Sequence, residues 1–417
     1  MGKYTWNDII AQIKKISEKG FFDIVGAGIV NKICTLLASV LSVRLLTKTE
    51  FGEISYILNI INLIAIGSSL GMDNVALQFG SEEKELDSKN KIFKFAFCVG
   101  TTTNFFISVI IVFIQKNNFL LLCASLLLVF MFWNNFSGNV YRVLLKNKVY
   151  ARITNVYTLS FLIFTTLGAT YNAVNGYLLG YYLSYIVTIL VAIYCGKDNV
   201  KRIVHAAVLQ TEKRKECIKY GTLIIASNAA SQILYYLDVL MIGIVAGQAT
   251  NVASYKTATI IPTALNAIPV LVVKFIYPYF AENRKNKVWI LKNWKRIVII
   301  SFPCFLAVGI VGILFSKVII TIFFGKEYLE SQICFQILML SFVISGTFRI
   351  ISGNILTMLR KVKSNFLFSI IEAVMNIVLD AVLISTYGNV GAAWATLIVV
   401  VLSGMLSTGY LIYYLKT

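Results

Sequence analysis

Charge is scarce in this sequence. Only 14% of its 417 residues are charged, against about 25% in soluble domains, so a soluble globule is excluded. Proline occurs four times and histidine once. The lone His205 and the absence of any CxxC pair leave no zinc-type ligand spacing. The seven cysteines (34, 98, 123, 195, 217, 304 and 334) are scattered and read as small buried hydrophobes. No metal or cofactor is expected. No outer loop is longer than about 15 residues, which leaves no room for the large extracytoplasmic loop that a polymerase or lipid-dependent glycosyltransferase needs.

Apolar sequence is abundant: 58% of residues are hydrophobic and the mean hydropathy is +0.77. Runs of about 20 apolar residues, each long enough to cross a bilayer, recur along the chain. Twelve spans are expected, near 24–44, 54–77, 92–114, 119–141, 153–171, 176–195, 220–245, 252–278, 296–315, 331–353, 366–386 and 391–415. Each must be a helix, because an open sheet cannot satisfy its backbone in lipid. The net charge of +19 does not point to nucleic acid. With the N-terminus inside, 28 Lys and Arg fall in inner segments and 5 in outer loops. That bias places both termini in the cytoplasm. No cleavable signal is evident. Residues 1–23 put Trp6, Ile9, Ile10, Ile13 and Ile16 on one helical face, with Lys14 and Lys15 off it. This predicts a helix lying on the inner membrane surface.

The chain also repeats. EFGEISYILNII (50–61) resembles TNVASYKTATII (250–261), with Ser55-Tyr56 and Ser254-Tyr255 offset by 199. YNAVNGYLLGYYLSYIV (171–187) resembles YGNVGAAWATLIVVVLS (387–403), offset by about 215. The basic loops RVLLKNKVYAR and MLRKVKSN correspond as well. Two six-helix lobes, 24–195 and 220–417, are expected on either side of a basic linker, 196–219. Both start from the same side, as parallel repeats do.

Several spans carry polar stripes. Lys32, Thr35, Ser39 and Ser42 share one helical face, and Asn59, Asn62, Ser69 and Asp73 share another. The seventh span has Asn228, Ser231, Gln232, Tyr235 and Asp238, and the eighth has Lys256, Thr259, Thr263 and Asn266. The eleventh has Asn365, Ser369, Glu372, Asn376 and Asp380. Ser, Thr and Asn often only join packed helices, but ionisable groups inside a span cost about 3 kcal/mol or more and mark function. The cations Lys32, Lys256, Lys274, Arg349 and Arg44 are candidate ligands for a phosphate. Lys274 and Arg44, near span ends, can instead snorkel to the surface. Asp238, Glu372, Asp380 and Asp73 are candidate proton or sodium carriers. Asp73, near the inner surface, can instead cap a helix.

At these residues the chain resembles the multidrug/oligosaccharidyl-lipid/polysaccharide (MOP) exporter superfamily. More closely, it is similar to that superfamily's bacterial O-antigen and capsule repeat-unit flippases. The matching stretches are RLLTKTEFGEISYI (44–57), SLGMDNVALQFGSEE (69–83), LDVLMIGIVAGQATNVASYKTA (237–258), FFGKEYLESQICFQILML (323–340) and YGNVGAAWATLI (387–398). The resemblance implies an all-α, MATE-like, V-shaped transporter with alternating access and no enzymatic activity. Its implied cargo is an undecaprenyl-pyrophosphate-linked oligosaccharide, moved to the outer leaflet with ion coupling. Its implied partners are membrane lipids, the polysaccharide polymerase and the chain-length machinery. Lys32, Lys256 and Arg349 are the positions that could grip the pyrophosphate. Relatives often carry an arginine near the end of the second helix, where this chain has Gln78. The competing implication is a multidrug/cation antiporter of the same superfamily, whose cavity should be acidic and aromatic.

Overall fold

A computed structural model describes residues 21–114, 118–232 and 234–417. The expected surface helix over 1–23 falls almost wholly outside them. The described chain is all α-helical, as an intramembrane backbone requires. Its first half runs through α1 (Phe21–Leu45), α2 (Lys48–Ser68), α3 (Met72–Glu82), α4 (Leu86–Ile114), α5 (Phe119–Ser125), α6 (Leu127–Val143) and α7 (Asn147–Cys195). Two linker helices follow, α8 (Lys197–His205) and α9 (Thr211–Gln232). The second half holds α10 (Leu234–Ala246), α11 (Ala249–Leu265), α12 (Ala267–Glu282), α13 (Lys287–Leu314) and α14 (Ser316–Phe323). A 3₁₀ turn (Lys326–Ser331) then leads into α15 (Gln332–Ile344). A π-helical turn (Ser345–Ile350) joins α15 to α16 (Ile351–Met358), and α17 (Val362–Lys416) ends the chain.

Eight described helical stretches are long and apolar enough to cross a membrane. Two of them, α7 and α17, each hold two expected spans. α7 breaks at Asn172–Ala173 and α17 at Gly388. One expected span is broken instead. Residues 54–77 do not form one helix, because Leu70 and Gly71 take φ of 50° and 67° between α2 and α3. A left-handed pair cannot continue a right-handed helix.

The repeat is visible in the backbone. Leu145 (φ 56°) and Arg360 (φ 62°) lie 215 residues apart, each just after a helix. The next residue closes each helix by the same six-to-one bond: Lys146 N–H to Tyr141 O (2.9 Å) and Lys361 N–H to Leu356 O (2.8 Å). Ala173 (φ 40°) and Gly388 (φ 57°) are also 215 apart. Three residues on, Gly176 lies against the carbonyl of Gly168 and Gly391 against that of Leu383. A Cβ at either glycine would fall within 2 Å of that oxygen.

Packing divides the chain into two compact units: residues 1–38 with 64–226, and 39–63 with 227–417. Specific contacts hold 39–63 in the second unit. Asn59 donates to Tyr236 O (2.6 Å), Lys48 pairs with Glu330 (2.6 Å), and Gly52 meets the backbone of Ala249. The first unit has a core of Met72, Val75, Phe79, Phe93, Phe136 and Cys217. The core of the second gathers Phe280, Ile290, Trp294, Ile355, Leu356 and Leu411.

Candidate functional site

The second unit encloses a cavity of about 450 Å³. α10 contributes Tyr236 and Asp238, and α11 contributes Tyr255, Lys256, Thr259 and Thr263. Ser341 of α15, Ser345 and Arg349 of the π turn, and Asn376 and Thr396 of α17 complete the polar wall, with Asn62 of α2 and Asn266 between α11 and α12. Two helix irregularities border this wall. Pro262 lines the cavity inside α11 and removes one backbone donor there. Arg349 sits in the π turn, where an extra residue re-aims the side chains that follow.

The cations expected to bind phosphate have separate fates. Lys256 lines the cavity, and its ammonium makes no ion pair or hydrogen bond among the described residues. Arg349 also lines it but is paired: its Nη2 lies 3.2 Å from Glu372 Oε2. Ser403 Oγ donates to the other Glu372 oxygen. Arg349 and Glu372 therefore neutralise each other, so neither is the free charge that the sequence stripes suggest. Arg44 is occupied elsewhere. Its guanidinium donates to the carbonyls of Phe323 (2.9 Å), Thr321 (3.1 Å) and Ile322, at the C-terminus of α14. A cation there complements the helix dipole, so Arg44 acts as a cap and not as a cavity ligand. Lys32 is exposed on α1 and lines neither cavity described here. Lys274 lies in α12, and its side chain lies outside the described residues, as do those of Asn228, Ser231, Gln232 and Tyr235. Gln78, standing where relatives carry arginine, donates to Glu82 (2.6 Å).

The acids separate likewise. Asp238 accepts from Tyr255 Oη (2.5 Å), Thr396 Oγ1 (2.5 Å) and Asn376 Nδ2 (3.1 Å). Asp380 lies beside it, one helical turn beyond Asn376. Both Asp380 carboxylate oxygens and Asn376 Oδ1 are buried without a donor among the described residues. Such bare acceptors cost free energy until something binds them. The acceptors of the cluster are all oxygen: two carboxylates, an amide carbonyl and the hydroxyls of Tyr255 and Thr396. That set suits a proton or a small hard cation. No group of three His, Cys, Asp or Glu that could hold a metal ion occurs among the described residues. Asp73 belongs to the first unit. It occupies the first turn of α3, where an acid complements the dipole, and accepts from Ser69 (3.3 Å) and Asn74 (3.4 Å).

Sequence reasoning missed a second cavity, of about 400 Å³, in the first unit. Asn31, Asp73, Asn134, Asn135, Asn139 and Arg142 line it, with Tyr150, Thr154 and Tyr157. Its signal was the amide-rich WNNFSGN (133–139) inside an otherwise apolar span.

Comparison with known proteins agrees with this architecture. Residues 17–284 match the family model described as polysaccharide biosynthesis protein. A protein of Shigella flexneri named "Putative O-antigen transporter" is 26% identical over 219 residues. That alignment covers 52% of this chain, and the chain spans about half the length of this curated relative (51%). Among solved structures, the lipid II flippase MurJ in an inward-closed conformation superposes with a TM-score of 0.75. It is 18% identical and covers 94% of this chain and 87% of its own. An inward-facing multidrug-resistance MATE transporter of the MOP superfamily gives 0.71 at 13% identity, covering 93% and 94%. At these identities the structures establish the fold: a MATE-like, all-α, multi-pass membrane architecture. The family match spans well over half of the sequence, and with it the chain belongs to the polysaccharide biosynthesis protein family.

Proposed function

We propose that this protein is a flippase for lipid-linked oligosaccharide. It carries undecaprenyl-pyrophosphate-linked repeat units of the O-antigen or capsule type from the cytoplasmic to the outer leaflet of the inner membrane. The observation that carries this reading is Lys256, a cation without a counter-ion lining a 450 Å³ polar cavity. A buried ammonium needs a partner, and a pyrophosphate supplies one with several charged oxygens. Arg349, held by Glu372, helps set the potential of the wall without being a free ligand. Lys32, exposed on α1, is a secondary candidate for the same cargo. The family membership and the names of the relatives support the same class of cargo.

Ion coupling is assigned to Asp238, Asp380, Asn376 and Thr396. Loading a proton or sodium ion there would satisfy the bare oxygens of Asp380 and Asn376. It would also change the charge facing Lys256 across the cavity, so ion binding and release of an anionic headgroup can be linked. In this reading the homologous halves 24–195 and 220–417 alternate access, both termini face the cytoplasm, and the exported units pass to a polymerase and its chain-length machinery.

The test is a deletion of the gene in the source bacterium, followed by measurement of surface polymer and of the leaflet that holds the lipid-linked units. Loss of polymer with accumulation in the cytoplasmic leaflet is expected, and Lys256→Ala at normal protein level should fail to restore export. Persistence of polymer together with new sensitivity to cationic dyes would replace this reading by the multidrug antiporter, in which the Asp238–Asp380 pair would bind the drug.

A further inference from the structure

We propose that the cavity of the first unit is a saccharide subsite that recognises neutral sugars of the cargo and sets its glycan specificity. The proposal rests on the flippase reading above. Its starting point is the internal repeat, now fixed at an offset of 215 by the matched turns at Leu145 and Arg360. At that offset Asn134 stands where Arg349 stands in the second unit, and Tyr157 stands where Glu372 does. Asn134 and Tyr157 both line the first-unit cavity. The repeat has thus kept a cavity between equivalent helices while an amide and a phenol occupy the positions of an ion pair. A site remodelled in that direction suits an uncharged ligand.

The lining agrees. Asn134, Asn135 and Asn139 project from neighbouring turns of α6. Each amide carries both donors and an acceptor, the mixed set that a ring of hydroxyls requires. Asn134 Oδ1 is buried and has no donor among the described residues, an open position for a ligand hydroxyl. Tyr150 and Tyr157 add apolar ring faces with polar tips. The two charged lining residues are one acid, Asp73, and one base, Arg142, so the cavity has no net charge to attract an ion. Arg142 is also engaged, donating to Asn139 Oδ1 at 3.4 Å with its guanidinium 5.7 Å from the centre of the Tyr150 ring. The volume, about 400 Å³, falls in the range of small-molecule sites, about 300–1,000 Å³.

The test is export specificity. Wild type, Asn135→Leu, Thr154→Val and Lys256→Ala are placed in the deleted source strain and in two hosts that build different repeat units of known sugars, each lacking its own flippase. Surface polymer is measured in each, normalised to inserted protein. If the subsite exists, Asn135→Leu and Thr154→Val change the ratio of export between repeat units by tenfold or more. Lys256→Ala lowers export of all of them together, because the pyrophosphate is common to every cargo. Ratios that stay within twofold for both subsite variants overturn the proposal while leaving the flippase reading intact. Failure of wild type to export any repeat unit, even in the source strain, overturns the flippase reading and the subsite with it.

Discussion

Arg349 and Glu372 meet at 3.2 Å between the π turn and α17, with their side chains 20% and 5% exposed. Twenty-three residues separate them in sequence. Neither sits in a motif that announces the other.

Removal of one member of such a pair leaves a charge without its partner, typically costing about 3–5 kcal/mol. Glu372→Ala should therefore lower the thermal midpoint of the purified protein in detergent markedly. Replacing both residues together (R349M/E372M) should cost far less. Equal losses from the single and the double replacement would show that the pair is not coupled.

Arg44 gives a contrasting expectation. Its three bonds all go to carbonyls at the end of α14. Bonds to a charged donor contribute about 1.5–3 kcal/mol each when fully formed, and less where water or headgroups can reach the group. Arg44→Ala should thus lower stability by about 1–2 kcal/mol. Export per folded molecule should stay near wild type. A folded Arg44→Ala protein that cannot export would return Arg44 to the list of cargo ligands.

The twin glycines allow a test of the repeat itself. A methyl group at Gly176 or Gly391 would overlap a backbone carbonyl of the preceding helix limb. Backbone cannot step aside as a flexible side chain can, so Gly176→Ala and Gly391→Ala should both reduce the yield of folded protein severely. Gly388→Ala differs: nothing lies within 4 Å of its Cβ position. There the cost is only that of φ 57° for a residue with a Cβ, about 1 kcal/mol. Equal tolerance of all three substitutions would contradict the close packing of the two hairpins.

These residues also show what the sequence could and could not reveal. Hydropathy locates the membrane helices because lipid forces a long apolar run for each one. The match of YNAVNGY with YGNVGAA reads the twin hairpins because both need a left-handed residue and then a glycine. Lys256, Asp238 and Asp380 are legible as costly charges inside spans. The stripes fail where a side chain's partner lies on another helix. Arg44 and Arg349 both read as candidate phosphate ligands in one dimension, yet one caps α14 and the other is neutralised by Glu372. The break at Leu70–Gly71 and the π turn at 345–350 are likewise hidden, since a left-handed leucine and an extra residue in a helix are products of packing.

Cys217 provides a chemical check on the first unit. It lies within the basic linker, fully buried in the core of that unit, and burial pushes its thiol up to about 11. The thiolate is the reactive form. N-ethylmaleimide should leave Cys217 unmodified at pH 7 in the folded protein and modify it after denaturation, as read by peptide mass spectrometry. Labelling within minutes at neutral pH without denaturant would mean that this core opens readily.

The oxygen cluster of the second unit carries the last expectation. Asp238 has three donors, whereas Asp380 has none among the described residues. The two acids should therefore respond differently to amidation. Asp380→Asn supplies donors of its own beside Asp238, so the folded protein should persist, with export that no longer depends on an ion gradient and falls at least tenfold. Asp238→Asn can keep its carbonyl toward Asn376 Nδ2 only by turning its amide NH2 onto the Tyr255 and Thr396 hydroxyls, which now donate to the other oxygen, and should destabilise the fold as well. Export in vesicles with a sodium gradient and no proton gradient, and then the reverse, identifies the ion. Dependence on sodium alone assigns the cluster to sodium, and dependence on the proton gradient alone makes it a shared-proton pair. Gradient-dependent export that survives Asp380→Asn unchanged would remove this cluster from the coupling mechanism.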